Sequence, residues 1–163
     1  MAVFTIKLVP FDRDFVPSDE QLQQVESLLR SYCSWNEKEV SFKRFSKLTL
    51  VDSGVAFESF KCPLCGTKVD RFGDDDHGEW WADMEDQIEQ LETPLLVDLK
   101  MPCCGQQALV QQFDFAEKAV FARWVVSVRD YELHSGGGQL DTKQLETLEA
   151  AAGGKLIQIV SVG

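Results

Sequence analysis

The apolar positions of this chain fall into two periods, and the change from one to the other marks out its elements. Val3 to Val9 alternates loosely and is rich in β-formers, which predicts a strand. Pro17 and Ser18 then open a helix, with Ser18 and Gln21 spaced as a capping box. Leu22, Val25, Leu28, Leu29 and Tyr32 recur at helical spacing through Cys33. A strand is expected over Phe45 to Val51, an Asp52-Ser53-Gly54 turn after it, and a second strand from Val55 to Phe60, together a hairpin. Trp80, Trp81, Met84, Ile88 and Leu91 form one apolar stripe of a helix over Gly78 to Leu91, which Thr93-Pro94 stops.

The last third mirrors the first. Ala119 to Leu133 is dense in Val, Phe, Trp and Tyr and predicts a long strand. Phe121, Trp124, Val125 and Val128 fit a helical period too, so helix over 119 to 130 competes with it. His134 to Gln139 is a glycine loop. Asp141 and Gln144 form a second capping pair, Leu145, Leu148 and Ala152 give the following helix its apolar side, and Gly153-Gly154 ends it. Leu156 to Val162 is a closing strand. Two β-α-β halves, residues 1–53 and 117–163, predict an α+β fold: a ferredoxin-like antiparallel sheet with both helices on one face. Residues 54–116 read as an insert within one domain of 163 residues.

Two short turns in that insert carry chemistry. Cys62-Pro63-Leu64-Cys65-Gly66 is a zinc-knuckle sequence with C-x2-C spacing. Met101-Pro102-Cys103-Cys104-Gly105 repeats its Pro-x-Cys-Gly frame, but Met101 stands where the first cysteine would be. Zinc wants soft anionic ligands, and backbone N–H groups of such turns stabilise thiolates. Cys62, Cys65, Cys103 and Cys104 are therefore the candidate ligands of a Zn2+ ion, with His77 the alternative to Cys103. An all-sulfur centre is a poor Lewis acid and offers no exchangeable water, so the metal reads as structural. Cys33, among apolar helix neighbours, reads as an inert core thiol.

The formal charge of −11 changes the picture only once it is located. Eleven acids lie between Asp70 and Asp98, with Arg71 the only base among them; the rest of the chain holds 16 acids and 15 bases. That field repels nucleic acid and steers basic partners. Asp75, Asp76, Glu79, Asp83, Asp86 and Glu89 are the candidate partner-binding residues. A solvated helix face serving solubility would look the same. The Asp74-Asp75-Asp76-His77 run invites a metal-dependent hydrolase reading, but a contiguous run does not converge on one ion. Hydrophobic residues make up 44% of the chain and no stretch is long enough to span a membrane. The first residues lack a basic n-region, and the thiols suit a reducing compartment, so a cytoplasmic protein is expected.

The run Met101-Pro102-Cys103-Cys104-Gly105, then Phe113-Asp114-Phe115, Phe121-Ala122-Arg123-Trp124, a helix and a closing strand resembles a group of small, mostly uncharacterised bacterial zinc-ribbon proteins. The likeness covers residues 60 to 163. It implies a fold, a zinc ion and Cys103 with Cys104 as a ligand pair, but no reaction. Gln106, Gln107, Gln111 and Gln112 depart from the plainer strand of that group. Three functions are left: a non-catalytic zinc protein, such as an immunity-type inhibitor, that meets a basic partner through its acidic face; a zinc-ribbon nucleic-acid binder, for which the chain lacks a basic stripe; and a hydrolase using His77 and Asp74 to Asp76.

Overall fold

The computed structural model describes residues 3–33, 40–73 and 76–163. The chain divides into two units, Met1–Ser46 with Ala122–Gly163, and Lys47–Phe121. In the first unit β1 (Phe4–Pro10) leads to α1 (Asp19–Tyr32) and β2 (Val40–Asp52), which runs on into the second. The chain returns along β7 (Ala119–Arg129), then α3 (Thr142–Ala152) and β8 (Leu156–Val162). The sheet is antiparallel in the order β2-β7-β1-β8. β1 sets Ile6 opposite Val128 on one side and Val160 on the other.

Both helix starts are built as expected. Ser18 Oγ accepts the Gln21 N–H at 3.2 Å and the Gln21 side chain accepts the Ser18 N–H at 2.9 Å. Asp141 and Gln144 repeat this at 2.8 and 3.0 Å. Each cap satisfies amides that the first helical turn leaves unpaired, a contribution of about 1 kcal/mol. At the end of α3, Gly153 takes φ +86°, and its N–H donates to Glu149 O at 2.9 Å. Leu22, Val25, Leu29 and Leu148 of the helices close over Ile6, Leu8, Trp124, Val126 and Leu156 of the sheet.

β7 is strand throughout, so the helical alternative over 119–130 falls. The ambiguity has a physical source. β7 is an inner strand between β2 and β1, and Trp124, Val125 and Val126 are all buried. A strand buried on both faces loses its polar alternation, and the remaining apolar run fits either period. The strand stops at Arg129; Leu133 keeps only an isolated bridge to Cys33. Cys33 is the C-terminal cap of α1, partly buried and packed against the core of the first unit, and burial raises its thiol pKa.

The second unit holds β3 (Ser59–Lys61), β4 (Lys68–Asp70), α2 (Asp76–Gln90), β5 (Asp98–Lys100) and β6 (Gln107–Leu109). The strand expected over Val55 to Phe60 shrinks to Ser59–Lys61. Asp52 Oδ1 accepts the Gly54 N–H at 2.8 Å, and Ala56 and Phe57 donate back to Ser53 and Gly54, so the chain folds over itself instead of pairing. The result buries Phe57 completely. Phe57, Phe60, Trp81, Met84, Phe113 and Phe115 form the unit's core. Leu91 departs from the predicted stripe: α2 ends at Gln90 and Leu91 is exposed. Lys47 Nζ donates to the carbonyls of Glu89 and Leu91, a cation placed where the helix dipole is negative.

Candidate metal centre

The site is made by two hairpins of the same design. In the first, β3 pairs with β4 and Lys61 stands opposite Lys68. In the second, β5 pairs with β6 and Lys100 stands opposite Gln107. Each hairpin closes through the same two backbone bonds. Cys62 N–H donates to Thr67 O and Gly66 N–H to Cys62 O, at 2.9 and 3.0 Å; Met101 donates to Gln106 and Gly105 to Met101 at the same two distances. Gly66 and Gly105 take φ of +76° and +72°, a region that only glycine enters without strain. The knuckle frame thus aligns Cys62 with Met101, Leu64 with Cys103 and Cys65 with Cys104.

That alignment explains the irregular second turn. Met101 fills the buried first position as Cys62 does in the other hairpin, with 1% and 2% exposure. The thiol that Met101 does not supply comes from Cys103, at the position where the first knuckle has the half-exposed Leu64. The structure brings all four predicted cysteines together: Cys62, Cys65, Cys103 and Cys104 place their sulfurs within 4.8 Å of one another. Cys65 and Cys103 Sγ are 3.4 Å apart, and Cys62 and Cys104 Sγ 4.0 Å. A tetrahedral ion with metal–sulfur bonds of about 2.3 Å needs sulfur–sulfur edges of about 3.8 Å, and the two distances bracket it. The donor set therefore fits a thiophilic tetrahedral metal ion. His77, the alternative ligand, lies on α2 and is no member of the group.

The surroundings favour ionised sulfur. The Leu64 N–H donates to Cys62 Sγ at 3.4 Å. The Thr67 side chain, 3.2 Å from Cys65 Sγ, and then its backbone amide lower the Cys65 pKa to about 6. Cys103 goes the other way, to about 12, because burial and then its sulfur neighbour Cys65 oppose a second negative charge. In the metal-free protein Cys65 thus ionises before Cys103, which keeps its proton. Thr67 was not singled out by sequence; its only signal is a hydroxyl placed directly after the knuckle glycine. Lys61, Lys68 and Lys100 are the strand residues that flank the two turns, with Lys68 Nζ 3.5 Å from Asp70 Oδ1.

Binding of a metal ion must expel whatever protons the thiols hold. Above pH 6, where Cys65 is already ionised, zinc uptake should release fewer than four protons per ion. The number should rise toward four as the pH falls below that value, with affinity declining over the same range. Calorimetry in buffers of different ionisation enthalpy measures the count directly; a constant count of four would remove Cys65 as the pre-ionised ligand.

The predicted acidic residues divide. Glu79, Asp83, Asp86 and Glu89 are exposed on the outer side of α2. Among the described residues none of the four has an ion pair. Glu85 instead accepts the Trp81 indole N–H at 2.6 Å and faces Arg71 Nε at 3.8 Å. Asp74 and Asp75, and the side chain of Asp76, lie outside the described residues. No described helix is long and apolar enough to cross a membrane. Compared with known proteins, the chain matches no family model, no curated protein and no solved structure.

Proposed function

We propose that this chain is a non-catalytic, cytoplasmic zinc protein that uses the metal to hold its second unit and presents α2 as an acidic docking face for a basic protein. The observation that carries it is the donor set. Four sulfurs already at tetrahedral spacing fill the coordination of a zinc ion, which is the arrangement of a structural site. Zinc is a thiophilic metal that four thiolates hold tetrahedrally and without redox chemistry. The sheet order β2-β7-β1-β8 with two β-α-β connections supports a ferredoxin-like frame, and the paired knuckles support kinship with the small bacterial zinc-ribbon proteins. An immunity-type inhibitor that blocks the cationic face of a toxin is the most concrete version of the reading, because exposed carboxylates in a row on a rigid helix steer a basic partner by long-range attraction.

Metal analysis should find one zinc per chain, and cobalt substitution should give the strong thiolate charge-transfer bands of a tetrahedral four-sulfur site. Native mass spectrometry of the protein recovered from its host at low salt should show one basic protein bound stoichiometrically. Asp83→Asn, Asp86→Asn and Glu89→Gln combined should weaken that complex by roughly 10- to 100-fold and flatten its salt dependence, the signature of lost steering. Unchanged affinity and salt slope would sink the acidic-face reading and leave the metal assignment standing.

A further inference from the structure

We propose that β8 is a self-association edge, pairing antiparallel with β8 of a second copy of this chain about a two-fold axis at Val160. The sheet has two outer strands, β2 and β8. An outer strand presents unpaired N–H and C=O groups, and natural proteins guard such edges with charge. β2 is guarded: Lys43 and Arg44 are exposed in its first half and Lys47 follows. β8 reads Leu-Ile-Gln-Ile-Val-Ser-Val, with no charge and no proline.

The register identifies which groups of β8 are open. Val3 and Gly163 exchange both N–H···O bonds at 3.0 Å, and Phe11 N–H donates to Lys155 O at 2.9 Å. Hydrogen-bonded pairs recur every second residue in an antiparallel ladder, so Ile157, Ile159 and Ser161 turn their backbone toward β1. Gln158, Val160 and Val162 turn theirs outward. Among the described residues those outward N–H and C=O groups have no partner. The Gln158 side chain does not cover them, because Leu140 holds its amide through bonds of 2.8 and 3.2 Å. Beside the open edge, Phe4, half exposed, joins Val160, Tyr131, Glu132, Leu133 and the Gly136–Gly138 loop around a groove of about 390 Å³.

Charge selects the occupant. The unit that contains β8 holds 12 acids and 10 bases, whereas Lys47–Phe121 holds 15 acids and 6 bases. β8 itself offers a basic partner no counter-charge, and Glu132, the one charged residue among the described ones lining the groove beside it, already has an interaction of its own. A second copy brings the same uncharged strand, and two-fold pairing sets no like charges opposite each other. With Val160 on the axis, Gln158 faces Val162 of the other copy, and each of the three outward residues joins a pair that exchanges two N–H···O bonds. The apolar groove then receives side chains of the incoming strand. A single strand pair is a small interface, so the dimer should be weak and concentration-dependent.

Sedimentation of the full chain between ~5 and ~500 µM, the range in which a small interface dissociates, should show monomer passing to dimer. Over that series the amides of Gln158, Val160 and Val162 should gain protection from hydrogen exchange, while those of Ile157, Ile159 and Ser161, already bonded to β1, should not change. Val160→Lys and Val160→Glu each put like charges on the axis and should raise the dissociation constant at least ~10-fold; mixing the two should restore the dimer. A chain that stays monomeric throughout overturns the proposal. So does a dimer that leaves the three outward amides unprotected, a reading that needs no substitution to fold.

Discussion

Replacing Cys62 by serine, or stripping the metal with a strong chelator, should unfold Lys47–Phe121 while the first unit keeps its structure. The expectation follows from how short the strands are that carry the site. β3, β4, β5 and β6 are three residues each, and isolated hairpins of that length are not stable in water. What closes them is a pair of knuckles whose four sulfurs would repel one another as thiolates without an ion between them. Structural zinc bound by such ligands contributes on the order of 10 kcal/mol or more at neutral pH, comparable to the whole stability of a small domain. Cys62 is the most buried of the four ligands, so a serine there also places an unmatched hydroxyl in the core. Near-ultraviolet circular dichroism reads the loss through Trp80 and Trp81, and hydrogen exchange locates it. The amides of Phe60, Val69, Leu99 and Ala108 should exchange freely, while those of Ile6 and Leu8, in a core with its own helices, should remain protected. A chelated protein that kept its aromatic dichroism would reduce the four sulfurs to neighbours without a shared ion.

The parts of this fold that sequence discloses are those whose signal is local. A capping box needs two residues three apart, so the starts of α1 and α3 were readable from Ser18 with Gln21 and from Asp141 with Gln144. β8 was bounded by Gly153-Gly154 before it and matches the expected Leu156 to Val162. The knuckles were readable for the same reason, each being a five-residue turn with its own proline and glycine. What was hidden depends on distant neighbours. Lys47 caps the carbonyls at the end of α2 from 42 and 44 positions away, and although Thr93-Pro94 marks the stop, nothing local shows that Leu91 falls just outside the helix. The segment after Gly54 is rich enough in β-formers to look like a strand, yet bonds from Ala56 and Phe57 to the preceding turn use the amides that a strand would need. For β7 the difficulty was burial itself, which erased the alternation that would have distinguished strand from helix. The role of Cys103 was half visible. Its sequence position looked like a defect in the second knuckle, and only the backbone equivalence of the two turns shows that Met101 took the core place and Cys103 the donor place.

Trp81→Ala should destabilise the second unit by about 3–5 kcal/mol, the range for removing a fully buried large aromatic side chain. Trp81 is 2% exposed and meets Phe57 and Phe60 edge-on, with ring centroids 4.9 and 5.4 Å away. Its indole N–H also donates to Glu85 Oε1 at 2.6 Å, one turn along the same helix. Truncation leaves a cavity among rigid rings that cannot collapse into it, and frees a carboxylate that then relies on Arg71 at 3.8 Å. Trp81→Phe separates the two losses: it keeps most of the packing and removes the hydrogen bond, at a cost of about 1–2 kcal/mol. Equilibrium unfolding followed by aromatic dichroism measures both. The comparison bears on function as well as stability, because Trp81, Met84 and Ile88 are the side chains that fix α2 in its core and so fix the direction of Asp83, Asp86 and Glu89. If the acidic face binds a partner, Trp81→Ala should abolish binding without changing a single charge, whereas neutralising the three acids should weaken binding and leave the unfolding transition in place. Loss of binding in both, with loss of stability only in the first, separates a helix that presents charge from charge that merely keeps the chain in solution.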